Sequence, residues 1–145
     1  MKHFTLAVAL GLSTQAAFAQ DMVSYTTAMD FDDVTFGIEN AITDLGLVVD
    51  NISHVGEMLE RTREATGSEV VLFEAAEVYS FCSAKLSRQV MEADPMNIVY
   101  CPYDIFVAQL PGSDQVTVGF RQFPDGAMQD IQTLLDGIVQ EAIAE

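Results

Sequence analysis

Apolar side chains recur at helical spacing in two long segments of the chain. The first segment follows an N-cap residue, Asp30, and ends at Gly46, while the second covers residues 125–144. Since residues three and four apart lie on one face of a helix, each segment is predicted to be a helix with one buried stripe. The stripes are Phe31, Val34, Ile38, Ile42 and Leu45 in the first helix and Met128, Ile131, Leu135, Ile138 and Ala142 in the second.

Shorter segments are rich in β-branched and aromatic residues or alternate in polarity, which predicts strands. Pro102 interrupts one of them, so a bulge or an edge position is expected there. A turn at residues 111–114 joins the last two strands as a hairpin, and residues 70–73 are predicted to be a loop or a helical turn. The predicted strands are 22–28, 47–55, 77–82, 98–110 and 115–122, with two short amphipathic helices at 57–65 and 83–94.

The resulting order of elements is β-α-β-α-β-α-β-β-α. Because each helix has a single apolar stripe, the helices are predicted to cover one sheet in a two-layer sandwich of the α+β class. The βα repeats favour parallel pairing, whereas the late hairpin adds an antiparallel pair. A mixed sheet is therefore expected.

The first 19 residues have the features of a cleaved signal peptide. Lys2 provides a positive charge, residues 4–12 are apolar, and Ala17 and Ala19 are the small residues of a cleavage site before Gln20. The apolar stretch is shorter than the ~20 residues that span a bilayer. We therefore expect a single mature domain, residues 20–145, in the periplasm, with secretion into the medium as the alternative.

The mature chain is strongly acidic. Cleavage would leave five basic residues against 22 acidic ones, a formal charge of −17. Such a surface repels phosphate backbones and anionic lipids, so neither nucleic acid nor a membrane surface is an expected partner. A small ligand or metal, a homodimer or a basic protein partner remain compatible with the charge.

Cys82 and Cys101 are the only cysteines. In an oxidising compartment they are expected to form a disulfide. However, if their strands were parallel neighbours, the sulfur atoms would lie ~10 Å apart along the strand direction, and a disulfide needs Cα atoms within about 7 Å. A structural disulfide, a pair of free functional thiols and inert buried thiols therefore all remain open.

Cys82 is the stronger candidate for a reactive thiol. It precedes a predicted helix, whose free amide groups and dipole would stabilise a thiolate. Lys85, one turn further on, would add positive charge, although the favoured interpretation is that its side chain lies along the helix surface.

His54 is the only histidine of the mature chain and follows the second predicted strand. If strand ends converge at one edge of the sheet, His54, Cys82 and Cys101 would meet, and one imidazole with two thiolates suits zinc or copper. The alternative is a hydrogen-bonded structural histidine. The wide spacing of the three residues has none of the specificity of a C-x-x-C ligand motif.

Three stretches of sequence carry a family resemblance. Residues 81–87 (FCSAKLS), 92–95 (EADP) and 101–103 (CPY), extended by 54–62 (HVGEMLERT), resemble the domain of unknown function 302 family, in particular its exported branch. Other members have Cys-Asn-Pro and Leu-Pro-Cys where this chain has residues 82–84 and 100–102. The resemblance implies a small α/β domain and export, and it implies no activity.

Three functions follow as hypotheses. No phosphate-binding loop, nucleophile elbow or zinc-protease motif is present, so a non-catalytic role is the prediction. The first hypothesis is a ligand- or metal-binding accessory domain with a site near His54, Cys82 and Cys101. The second is a thiol-redox protein that uses Cys82 and Cys101. The third is a partner-binding domain with a purely structural disulfide.

Overall fold

The computed structural model describes residues 22–144 as one five-stranded sheet packed against helices. The predicted order of elements and the α+β class are confirmed. The strands are β1 (Met22–Thr27), β2 (Val48–Ser53), β3 (Ala75–Cys82), β4 (Tyr103–Gln109) and β5 (Val116–Arg121), and the helices are α1 (Phe31–Asp44), α2 (Val55–Thr62), α3 (Ala84–Ala93) and α4 (Gln129–Ala142). Two short 3₁₀ segments, Glu64–Thr66 and Pro95–Tyr100, complete the described part of the chain.

The strand order across the sheet is β1-β5-β4-β3-β2, and neighbouring strands are antiparallel throughout the described residues. The predicted parallel pairing is therefore wrong. The β3–β4 connection explains the error, since Phe81 near the end of β3 pairs with Tyr103 at the start of β4. The chain between them, which includes α3, leaves and re-enters the sheet at the same end, so it reverses the strand direction.

The core lies between the sheet and a layer formed mainly by α1 and α4, which pack against each other. Both predicted stripes point into this core. Val34, Ile38 and Ile42 of α1 are fully buried, as are Ile131 and Leu135 of α4. Leu45 is the exception at 57 % exposure, because α1 ends at Asp44 and the chain turns outward there.

The segment before β4 differs most from the prediction. Residues expected to begin a long strand at position 98 form the 3₁₀ segment Pro95–Tyr100, for which Asp94 caps the N-terminus by accepting a hydrogen bond from the Met96 amide. Pro102 follows Cys101 through a cis peptide bond and lies just before β4. The expected bulge or edge position at Pro102 is therefore wrong, and β4 is a central strand.

The predicted signal peptide, residues 1–19, lies outside the described residues. Within residues 22–144, no helix has the length and hydropathy needed to cross a membrane.

Candidate functional site

Cys82 and Cys101 lie side by side at one end of the sheet. Cys82 is the last residue of β3, and Cys101 follows the 3₁₀ segment that precedes β4. Both side chains are half-buried, and their Sγ atoms are 2.7 Å apart. The ~10 Å separation expected for parallel strands does not arise, because the antiparallel β3–β4 pair brings both cysteines to the same end of the sheet.

The surroundings of Cys82 do not favour a reactive thiolate. Burial, followed by the neighbouring Cys101 thiol and the charge of Asp50, raises the pKa of the Cys82 thiol to about 12. Ser83 is the N-cap of α3, and its hydroxyl accepts a hydrogen bond from the Leu86 amide at 3.4 Å. The predicted lowering of the Cys82 pKa by the helix is therefore wrong, because desolvation outweighs the helix dipole.

Three aromatic rings pack against one another in the core, and one of them, Tyr103, lies close to both cysteines. Tyr103 is 1 % exposed and lies edge-on between Phe81 and Phe123, with ring centroids 6.4 and 6.1 Å away. Its hydroxyl is 3.0 Å from the Ser87 hydroxyl of α3. Tyr103 therefore links α3 to the sheet next to Cys82 and Cys101.

His54 lies at the other end of the sheet from the cysteines. In the β2–β3 pairing, Ser53 is opposite Val78, whereas Cys82 is opposite Val48. Val78 and Cys82 are four positions apart along β3, a distance of roughly 13 Å. The predicted metal centre of His54, Cys82 and Cys101 is therefore not assembled, and residues 22–144 contain no other cluster of three metal-binding side chains.

His54 instead begins a chain of hydrogen bonds that leads into the core. Its Nδ1 lies 2.7 Å from Glu77 Oε1, and the Tyr79 hydroxyl donates to Glu77 Oε2 at 2.5 Å. The exposed fraction falls from 54 % for the His54 side chain to 20 % for Glu77 and 1 % for Tyr79. Burial, and then the Glu77 carboxylate, raise the pKa of Tyr79 well above its usual range, so the phenol stays a hydrogen-bond donor.

This chain borders an open cleft of about 740 Å³ between the start of α1, helix α2 and residues 71–77. Gly56 allows α2 to form one wall, since a Cβ at this position would lie 2.7 Å from the backbone nitrogen of Ala76. The lining contains five carboxylates (Asp32, Glu57, Glu60, Glu74 and Glu77), two aromatic rings (Phe31 and Phe73) and two basic side chains (His54 and Arg61).

Sequence reasoning missed Glu77 and the cleft. The available signal was a lone carboxylate in an otherwise uncharged strand, two residues before Tyr79 and so on the same face of β3. His54 itself matches the second alternative of the sequence analysis, a hydrogen-bonded histidine.

Comparisons with known proteins give a family and a fold. A family model described as "Domain of unknown function DUF302" matches residues 23–141. A solved structure, the crystal structure of an uncharacterized conserved protein DUF302 from Bacillus stearothermophilus, superimposes with a TM-score of 0.62 at 13 % identity. The match covers 86 % of this chain and 97 % of that one. No curated protein matches the chain.

Proposed function

The chain belongs to the DUF302 family, and from that premise we propose that it is an exported, non-catalytic protein that binds a small organic cation in the cleft beside His54. The observation that carries this proposal is the hydrogen-bonded chain from His54 through Glu77 to Tyr79 at the edge of the cleft. The buried phenol of Tyr79 fixes the Glu77 carboxylate, and the carboxylate fixes the His54 imidazole. These polar groups are therefore already oriented before a ligand binds.

The composition of the cleft supports a positively charged ligand. Carboxylates outnumber basic side chains in the lining by five to two. Glu60 pairs with Arg63, which lies outside the lining, so the other carboxylates provide most of the negative charge. The rings of Phe31 and Phe73 offer apolar surface to the uncharged part of the same molecule. A small ligand with a flat apolar body and an ammonium or guanidinium group fits this combination of charge and surface.

The residues around the cleft support binding without catalysis. Its lining includes no serine, threonine, cysteine or lysine among the described residues, so the His54–Glu77 pair has no hydroxyl, thiol or amine side chain to deprotonate. The cysteine pair is at the opposite end of β3. The raised pKa of Cys82 also argues against the thiol-redox alternative, because the thiolate is the nucleophile in thiol–disulfide exchange.

The binding proposal is tested by NMR titration with three size-matched probes, benzylamine, phenylguanidine and benzoate. We expect the two cations to shift backbone amide signals of residues 54–61 and 71–77, while benzoate leaves them in place. Glu77→Gln removes the negative charge and replaces one of the two carboxylate oxygens that bond His54 and Tyr79 by an amide group. It should therefore weaken binding of the cations about tenfold or more, the equivalent of 1.4 kcal/mol.

Asp114→Asn provides the matched control, since Asp114 is an exposed carboxylate outside the cleft lining. It should bind the cations as tightly as the unaltered protein. Equal shifts with benzoate, or equal losses of affinity in Glu77→Gln and Asp114→Asn, would overturn the proposal.

Export is tested by the N-terminus of the protein isolated from a bacterial periplasm. We expect a chain that begins at Gln20, because signal peptidase requires small residues at positions 17 and 19. Replacing both Ala17 and Ala19 by leucine should leave the full-length chain, whereas Gln15→Leu should be processed normally. If the protein without substitutions were found only in the cytoplasm and uncleaved, the proposal would be contradicted.

A further inference from the structure

We propose that Cys82 and Cys101 form a disulfide that closes the chain segment 83–100 at its base. The first support is the backbone register. Phe81 pairs with Tyr103, so the residues that follow Phe81 and precede Tyr103 emerge next to each other at one end of the sheet. Continued by one residue, this register places Cys82 opposite Pro102, the neighbour of Cys101, so the two cysteines lie close together across the strand pair. A disulfide joins residues whose Cα atoms are about 4.4–6.8 Å apart.

The side chains complete this placement. The two sulfur atoms are in contact at 2.7 Å, and both residues are half-buried close to Tyr103. His54, the other residue that could join them in a metal site, lies toward the far end of β3. A neutral disulfide suits this environment, because burial disfavours ionisation of the Cys82 thiol and raises its pKa.

The chemistry requires an oxidant, which we assign to the class of protein disulfides found in oxidising compartments. Cys101 lines a second cleft of about 360 Å³ together with Tyr100 and Pro102. An incoming disulfide can therefore reach Cys101, whose sulfur attacks it. That attack forms a mixed disulfide and releases one thiol of the oxidant. Cys82 then gives up its proton, bonds to the Cys101 sulfur and displaces the second thiol. The two cysteines lose two protons and two electrons, and the oxidant becomes a dithiol.

The bond would close a segment whose second half exposes much of its apolar surface. Residues 83–100 comprise α3 and the 3₁₀ segment, which pack mainly on each other. Three apolar side chains of the 3₁₀ segment, Met96, Ile98 and Val99, are 58–65 % exposed and contribute little burial. A covalent link between positions 82 and 101 would stabilise the fold by limiting the conformations of this segment in the unfolded chain.

The bond is tested first by alkylation of denatured protein isolated from an oxidising compartment. We expect no alkyl groups on the protein before reduction and two after it, counted by intact mass. Two alkyl groups without prior reduction would overturn the proposal. A protein in which each cysteine is joined to a separate small thiol would also overturn it. The intact mass recorded before reduction would show the mass of those added groups.

A second measurement concerns thermal unfolding. Reductant should lower the midpoint of the unaltered protein by roughly 10 °C, to the value of a Cys82→Ala/Cys101→Ala double variant. The same reductant should leave the double variant unchanged. If reductant left the unfolding midpoint of the unaltered protein unchanged, the proposal would be contradicted, even if the variant failed to fold. The cation titration at the His54 cleft is independent of this result, since that cleft contains neither cysteine.

Discussion

Replacing Gly119 by alanine will lower the free energy of unfolding by about 3 kcal/mol, because β5 can no longer approach β1. Gly119 lies opposite Ser24 in the β1–β5 pair. A Cβ at this position would lie 2.3 Å from the carbonyl oxygen of Val23 and 2.8 Å from the Cα of Ser24. Both contacts are with backbone, which cannot rotate away as a flexible side chain does. Strand β1 must therefore shift or separate from the sheet.

Urea unfolding of Gly119→Ala and Gly137→Ala measures this effect. Gly137 is the matched control, since it lies within α4 and a Cβ there meets nothing within 4 Å. The control should gain up to about 1 kcal/mol, because alanine is the better helix former. A Gly119→Ala protein within about 0.5 kcal/mol of the unaltered protein, the range of ordinary surface substitutions, would show that the sheet accommodates the extra carbon.

Replacing Tyr103 by alanine will lower the free energy of unfolding by about 3–5 kcal/mol. The ring is buried between Phe81 and Phe123, so its removal leaves a cavity in the core. It also leaves the hydroxyl of Ser87, in α3, without its hydrogen-bond partner in β4. The loss should exceed that of an exposed aromatic such as Phe36, which is 67 % exposed.

Tyr103→Phe separates the two contributions. It keeps the ring contacts and removes only the hydroxyl, so it should lose about 0.5–1.5 kcal/mol, the net value of one hydrogen bond. Denaturant unfolding of the unaltered protein, Tyr103→Ala and Tyr103→Phe measures the loss of unfolding free energy in each variant. Equal losses for the alanine and phenylalanine variants would mean that the ring contributes little to stability and that the hydrogen bond accounts for the whole effect.

The helices could be predicted from the sequence because their signal is local. The apolar spacing of α1 and α4 places Ile38 and Leu135 on buried faces without any knowledge of the rest of the fold. The strand order and direction depend on pairings between distant residues, such as Met22 with Arg121. No pattern within one strand contains that information, so parallel neighbours were expected where the sheet is antiparallel.

The error in strand direction also explains the error in the candidate site. Parallel strands would bring His54, at the end of β2, and Cys82, at the end of β3, to the same edge of the sheet. Antiparallel pairing places them at opposite ends, and it brings Cys101 next to Cys82 instead. Glu77 was missed because its importance comes from its neighbours, His54 and Tyr79, and a carboxylate is unremarkable in a chain with 22 acidic residues.

The strand order has a consequence for how the chain matures during synthesis. Strands β3, β4 and β5 are adjacent in both sequence and space, so they can assemble as soon as they are made. Strand β1 is synthesised first, yet its only neighbour in the sheet is β5, near the other end of the chain. At about 5–20 residues per second, β1 waits several seconds without its partner. Until β5 is made, this uncharged strand has no partner for its backbone hydrogen bonds, a state that favours pairing with other chains.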